Sequence, residues 1–167
     1  MISIKKTHRL TKLTLLFSCA LLMTLAVLDN IFAYDINYDY VQHVMSMDTT
    51  FKHPHQYWRA VHNPFFYNLC LILIIIFEGV ASIVLWVGTF YLLKNMKSDK
   101  AQFQAAKQWG AVGLLLTLVL YSLIFMTIAS QWFASWQSSI WNSKNASMPF
   151  IILFGLTYLL LVKEDEA

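Results

Sequence analysis

The chain has 167 residues, of which 58% are Ala, Val, Ile, Leu, Met, Phe, Trp, Tyr or Cys and only 13% are Asp, Glu, Lys or Arg. A soluble globular domain carries roughly twice that charged share and needs polar side chains to cover its surface. Composition therefore excludes both a disordered chain and an ordinary soluble domain. The net charge of +3 comes without any dense Lys/Arg run, so it reads as membrane-anchoring charge rather than a nucleic-acid-binding arm.

Four apolar runs follow in chain order, and each predicts a transmembrane helix because about 20 apolar residues cross the hydrocarbon core. The first span is expected at about residues 11–33, and its strongly polar members, Asp29 and Asn30, stand near its end. An outer loop of 34–63 leads to the second span at 64–93, where Asn63 and Pro64 supply an N-cap followed by proline at the first helical position. An inner loop of 94–108 precedes the third span at 109–133. A second outer loop, 134–146, precedes a short fourth span at 147–162, whose start is expected around Ser147-Met148-Pro149. The fold class is thus an all-α integral membrane protein: a bundle of four transmembrane helices in one membrane domain, with a short amphipathic helix in the first outer loop. The basic front of Lys5, Lys6, Arg9 and Lys12 suits a secretory signal. The apolar run behind it is too long for one and no small-residue cleavage site follows, so a retained span is expected.

Orientation follows from Lys/Arg asymmetry. The N-terminus carries four basic residues, and the inner loop carries Lys94, Lys97, Lys100 and Lys107. The outer loops have only Lys52, Arg59 and Lys144. Both termini are expected to be cytoplasmic. The acidic tail Glu164-Asp165-Glu166 carries little weight, since acids contribute weakly to this rule. Trp109 at one end of the third span, with Trp132, Trp136 and Trp141 near the other, marks the two interfaces, where indole rings prefer to sit.

The first outer loop is the most polar segment. It holds His43, His53, His55 and His62 together with Asp35, Asp39, Asp48 and Arg59. Tyr40, Val44 and Met47 recur at helical spacing and predict a short amphipathic helix on the outer face of the bundle. Asp48 is expected to end it by capping the Thr49-Thr50 turn. Histidines and carboxylates are ligand types for zinc or copper, but their spacing matches no standard site. His53-Pro54-His55 is expected to point its two rings apart. No metal is assigned, and with no histidine inside any span, no intramembrane haem or other cofactor is assigned either. Cys19 and Cys70 form no CxxC pair, so no thiol-redox site is expected.

Glu78 is the sharpest single feature, about 14 residues, or ~20 Å, into the second span. A carboxylate at the bilayer centre costs about 2.5–3.5 kcal/mol. It must be protonated, paired, hydrogen-bonded or hydrated. One reading is a proton-relay or substrate-coordinating group. The other is a glue residue bonding Thr24, Thr117, Ser122 or Thr127 of a neighbouring helix. Asp29-Asn30 reads mainly as a helix terminus. Arg59 can hold Asp48 bidentately. Trp132 and Trp136, at i and i+4, are expected on one helix face beside Gln137, Ser138 and Asn142. That wall can bind a small molecule or seal the first loop onto the bundle.

Val41-Gln42-His43-Val44-Met45-Ser46-Met47-Asp48-Thr49-Thr50-Phe51 and Trp58-Arg59-Ala60, with Trp132-Phe133, Trp136-Gln137-Ser138 and Trp141-Asn142, resemble a bacterial family. It is the "predicted small integral membrane protein" group, a domain-of-unknown-function family. The resemblance spans nearly the whole chain. It implies a bacterial inner-membrane protein and carries Asp48, Thr49, Thr50, Trp58, Arg59, Glu78, Trp136, Gln137, Trp141 and Asn142 over as motif positions. It implies no activity, cofactor or catalytic residue. Ala33 and Gln131 depart from the acids expected near those positions.

The candidate binding residues are therefore Glu78, Asp48, Arg59, His43, Trp58, Trp132, Trp136, Gln137, Trp141 and Asn142. The expected partners are the lipid bilayer and other membrane-protein subunits, with no nucleic acid. Small size and aromatic loops without a catalytic set favour an accessory or scaffold component of a membrane complex. The alternative is a transporter-like or small-ligand-binding protein using Glu78 and the outer Asp/Arg/Trp cluster. Ser46, Asp48 and His43 invite a hydrolase reading, but no nucleophile elbow or HExxH supports it.

Overall fold

The computed structural model describes residues 4–165. The first apolar run lies inside α1 (Ile4–Phe32), which begins seven residues earlier than its apolar content requires. At Ala33 the backbone leaves helical geometry (φ −109°, ψ 46°) and turns directly into α2 (Tyr34–Ser46). The stripe of Val44 and Met47 is buried, as its spacing predicts, and Tyr40 is half-buried. The helix continues α1 beyond the elbow and packs against the longest helix, burying Val41 against Tyr67 and Leu71. Met47 ends it in the left-handed region, φ 54°.

A single-turn helix, α3 (Pro54–Tyr57), leads to α4 (Pro64–Lys94). Asn63 caps α4 by accepting from the Phe65 N–H at 3.0 Å, and Pro64 takes the first turn, as expected. A basic turn leads into α5 (Lys100–Ala106), which feeds α6 (Gln108–Leu118). From there the third span changes its hydrogen-bond spacing and runs as a π-helix, Val119–Trp132. α7 (Ser143–Val162) begins one turn before the position expected from sequence, because Asn142 caps it by accepting from the Asn145 N–H at 3.0 Å. Pro149 therefore lies inside the helix rather than at its start.

Among the described residues four helices are long and apolar enough to cross a membrane: Ile4–Phe32, Pro64–Lys94, Lys100–Trp132 and Ser143–Val162. The α1–α4 and α4–α6 pairs are the most extensive contacts. α4 approaches α6 backbone to backbone at Gly88 and Gly110, where a Cβ on Gly88 would meet the Gly110 nitrogen at 2.3 Å. Without water to drive association, such small-residue contacts let helix backbones close in. Leu16, Cys19, Ala20 and Met23 of α1 meet Ala81 and Leu85 of α4 in the main core. One end of the bundle gathers Arg9, Lys12, Lys94 and Lys107 and is called the basic end. The other carries the loops and Trp132, Trp136 and Trp141, and is called the aromatic end.

Candidate functional site

Antiparallel packing of α1 on α4 sets a polar ladder. Thr24 and Ser82 share a hydrogen bond at 2.9 Å, and the Trp86 Nε1–H donates to Thr24 at 2.8 Å. The same register, carried toward the aromatic end, brings Asn30 to Glu78. The Asn30 Nδ2 donates to Glu78 Oε2 at 2.5 Å. The partner of Glu78 is thus Asn30, not the threonines and serines expected from sequence. Thr24 is committed to Ser82 and Trp86.

Glu78 is 2% exposed and lies at the wall of a cavity of about 220 Å³. It stands about 24 Å from Lys94 at 1.5 Å per residue, and about 21 Å from Pro64. Glu78 thus lies near the middle of α4, and the cavity opens from it toward the aromatic end. The rest of the cavity comes from the same half of each helix: Ala26, Asp29 and Asn30 of α1, Asn37, Tyr40 and Val41 of α2, Leu71 and Ile74 of α4, and Ala146 and Phe150 of α7. Tyr121 and Phe125 close it from the π segment. Tyr121 stacks on Phe150 with ring centroids 4.3 Å apart and on Phe125 at 5.5 Å, giving a continuous aromatic wall. The two exposed rim residues, Asp29 and Ala146, place the opening between α1 and α7.

The chemistry of the lining is one-sided. Asn30 Nδ2 is used on Glu78, Asn37 Nδ2 donates to the Ala33 carbonyl at 3.1 Å, and the Tyr40 hydroxyl donates to Ser143 Oγ at 2.7 Å. Burial pushes the Tyr40 phenol up, against the opposing effect of the Ser143 bond, and keeps it a donor. Among the described residues Glu78 Oε1 receives no hydrogen bond, and the Asp29 carboxylate makes none. A π-helix of 14 residues is long for a conformation that occurs mostly as single-turn bulges, often at functional sites. Here it carries the aromatic wall.

The sequence candidates other than Glu78 lie in a separate cap over the aromatic end and do not line this cavity. His43 Nδ1 meets Asp48 Oδ2 at 2.6 Å, and the imidazole stacks on Trp141 at 4.7 Å between centroids. Asp48 Oδ1 is buried without a hydrogen-bond partner among the described residues. Asp48 does not cap the Thr49-Thr50 turn. The Thr50 N–H donates to the Met47 carbonyl, and Thr49 Oγ1 donates to Ser138 Oγ at 3.0 Å. Arg59 does not hold Asp48 either. Its Nε–H donates to the Gln56 carbonyl at 3.1 Å, and its guanidinium lies 5.2 Å over the Trp132 ring. Trp58 packs edge-on against Trp132, and Phe51 against Trp136. Trp132 and Trp136 do not share a helix face, because Ala134 at φ 53° separates them. Gln137 accepts from the Phe51 N–H at 2.9 Å and donates to Gln56, while Asn142 donates to the Trp136 carbonyl. These bonds fasten the two loops to each other.

The hydrolase geometry does not form. Ser46 Oγ contacts the His43 carbonyl at 3.5 Å, not its ring, and is buried. The His53 and His55 rings lie 5.4 Å apart, with the His55 N–H donating to the His53 ring, because Pro54 opens a helical turn rather than an extended segment. Among the described residues no three His, Cys, Asp or Glu side chains converge as a metal site would require. Both cysteines are free. Sequence reasoning left out Asn37, Tyr121, Phe125 and Phe150, and treated Asp29 and Asn30 as a helix terminus. A tyrosine alone in the middle of an apolar span was the one visible signal.

Residues 8–164 match the model of the family described as "Predicted small integral membrane protein (DUF2165)", and the chain belongs to that family. No curated protein and no solved structure matches the chain.

Proposed function

We propose that this family member is a small-ligand-binding, transporter-like membrane protein whose site is the cavity beside Glu78. The observation that carries this reading is the free Oε1 of a 2% exposed carboxylate at the wall of a cavity of about 220 Å³. Intramembrane acids are functional by default, and concave, mostly apolar pockets with a few placed polar groups are where small molecules bind. The Asp48/Arg59/Trp cap contributes no lining residue. In this reading it holds the loops together above the site.

The chain forms one membrane domain in a bacterial inner membrane with both termini cytoplasmic, on the argument of Lys/Arg asymmetry. The cavity then belongs to the outer half of the bilayer. Cysteine labelling tests both statements in a Cys19→Ser/Cys70→Ser background. Ser139→Cys, exposed on the aromatic-end loop, reacts with a membrane-impermeant reagent in intact cells. Ala26→Cys and Asn37→Cys react with a water-soluble methanethiosulfonate, whereas Ala81→Cys, fully buried between helices, stays silent. Reaction at Ser139→Cys without any at Ala26→Cys and Asn37→Cys overturns the ligand-site reading.

An accessory or scaffold role in a membrane complex is supported by a different observation. Phe51, Trp58 and Ile140, at 73%, 71% and 74% exposure, stand on the loops of the aromatic end. Mild-detergent purification tests it through a stoichiometric partner, and repeated recovery of the chain alone counts against it.

A further inference from the structure

We infer that the cavity beside Glu78 takes an organic ammonium carrying an apolar arm, an inference that rests on the ligand-site reading above. The free hydrogen-bonding capacity of the site is mostly acceptor. Glu78 Oε1 and the Asp29 carboxylate are open, while the Tyr40 hydroxyl and one N–H of each of Asn30 and Asn37 are committed to protein partners, which leaves one N–H on each amide. No Lys, Arg or His lines the cavity. An anion would meet the like charge of two carboxylates, with only the second N–H of Asn30 and of Asn37 to offset it. A neutral acceptor would leave Glu78 Oε1 unpaired, with Asn30 as the one partner of the carboxylate. A cation with N–H groups or a diffuse positive charge satisfies both carboxylates and lies beside the aromatic wall of Tyr121, Phe125 and Phe150.

The apolar arm follows from a second, smaller void of about 70 Å³. It lies between α2 and the π segment and is lined by Met45, Cys70, Ile128 and Phe133. Tyr40 and Phe125 line both voids, so the two adjoin. The first void places the charge beside Glu78, and the second continues it with apolar side chains. An inorganic cation satisfies the carboxylates and leaves the second void empty. A headgroup with a short alkyl arm fills both.

The test uses the full chain in nanodiscs of zwitterionic lipid, with Ala26→Cys as reporter in the cysteine-free background. n-Hexylammonium, n-hexanol and n-hexanoate share an arm and differ in head charge. Hexylammonium slows methanethiosulfonate labelling of Ala26→Cys, hexanol does so weakly, and hexanoate does not. Because all three enter lipid, the readout is the change on Glu78→Gln. That variant weakens protection by hexylammonium about tenfold, the scale of a lost charge-assisted hydrogen bond, and leaves hexanol unchanged. Asp29→Asn, at an exposed position, weakens hexylammonium to a smaller extent and keeps the test open if Glu78→Gln fails to fold. Equal protection by hexanoate, protection by sodium chloride matching that of hexylammonium, or indifference to both substitutions overturns the inference. A reactive Ala26→Cys with no preference for the ammonium fails the ligand class and leaves the cavity reading standing. An unreactive Ala26→Cys fails both.

Discussion

Two buried carboxylates, Asp165 at the basic end of this bundle and Glu78 midway along α4, differ in kind in their surroundings. Asp165, just beyond α7, is surrounded by cations. Its Oδ2 meets Arg9 Nε at 3.0 Å, and its Oδ1 meets Lys12 Nζ at 2.5 Å and Lys107 Nζ at 3.2 Å. Those cations are themselves satisfied: Arg9 donates to the Met96 and Ser98 carbonyls, and Lys12 and Lys107 both donate to the Lys163 carbonyl. The Arg9 guanidinium also covers the Phe103 ring at 4.1 Å. Glu78 has one neutral partner, Asn30, and a cavity. A saturated acid ties elements together and has nothing left for a ligand. An acid with a free oxygen facing a void has. The contrast gives Asp165 a role in holding the fold and, in the reading proposed above, leaves Glu78 open to a ligand.

Removing Asp165 gives the largest expected effect. Asp165→Ala leaves three buried cations without their shared counter-charge, and breaking such a pair costs about 3 kcal/mol. Unfolding of the detergent-purified chain measures it, and a loss under about 0.5 kcal/mol, the scale of an exposed pair, would reduce this cluster to decoration. Acid titration reads the same contact more gently. Burial raises the Asp165 carboxyl, but hydrogen bonds and charge from Lys12 and Lys107 outweigh it and hold it below the usual carboxylate range. A depressed acid contributes stability that is complete above its unfolded value of about 3.9 and is lost as pH falls through its folded value. The stability gap between the wild type and Asp165→Asn therefore shrinks as pH falls below about 4. A gap that instead widens on acidification contradicts the pairing.

How much of this was legible in the residues depends on whether a feature is local. The apolar runs and the Asn63-Pro64 start are local, and they stand where hydropathy and capping put them. The start of α7 was misread because Pro149 looks like a first-turn proline, whereas Asn142 caps the helix earlier. The kink at Ala134 carries no glycine to announce it. The π segment leaves no mark in its residue types, since it differs only in backbone hydrogen-bond spacing. The tail acids were set aside because acids weigh little in topology, a rule that is silent on tertiary pairing. Asn30 meets Glu78 through the register of two helices 48 positions apart. That register is set by how Cys19, Ala20 and Met23 pack on Ala81 and Leu85, which no spacing along one chain segment encodes.

The smaller effects decide whether Glu78 is glue. Asn30→Ala removes its one protein partner, and hydrogen bonds between membrane helices average about 0.6 kcal/mol. With a buried acceptor left open the loss rises to about 1 kcal/mol, well short of Asp165→Ala. Glu78→Gln keeps the shape and the bond to Asn30 and gives up only the charge. If Glu78 serves packing, the charge is a burden and Gln matches or exceeds the wild type in stability with no further consequence. If Glu78 serves binding, stability again stays within about 0.5 kcal/mol while discrimination between ammonium and carboxylate heads is lost. Both roles therefore predict a quiet unfolding curve, and selectivity separates them. A Glu78→Gln chain that unfolds as readily as Asp165→Ala would place the two acids in the same class, and the distinction between a saturated carboxylate and an open one would no longer tell structure from function here.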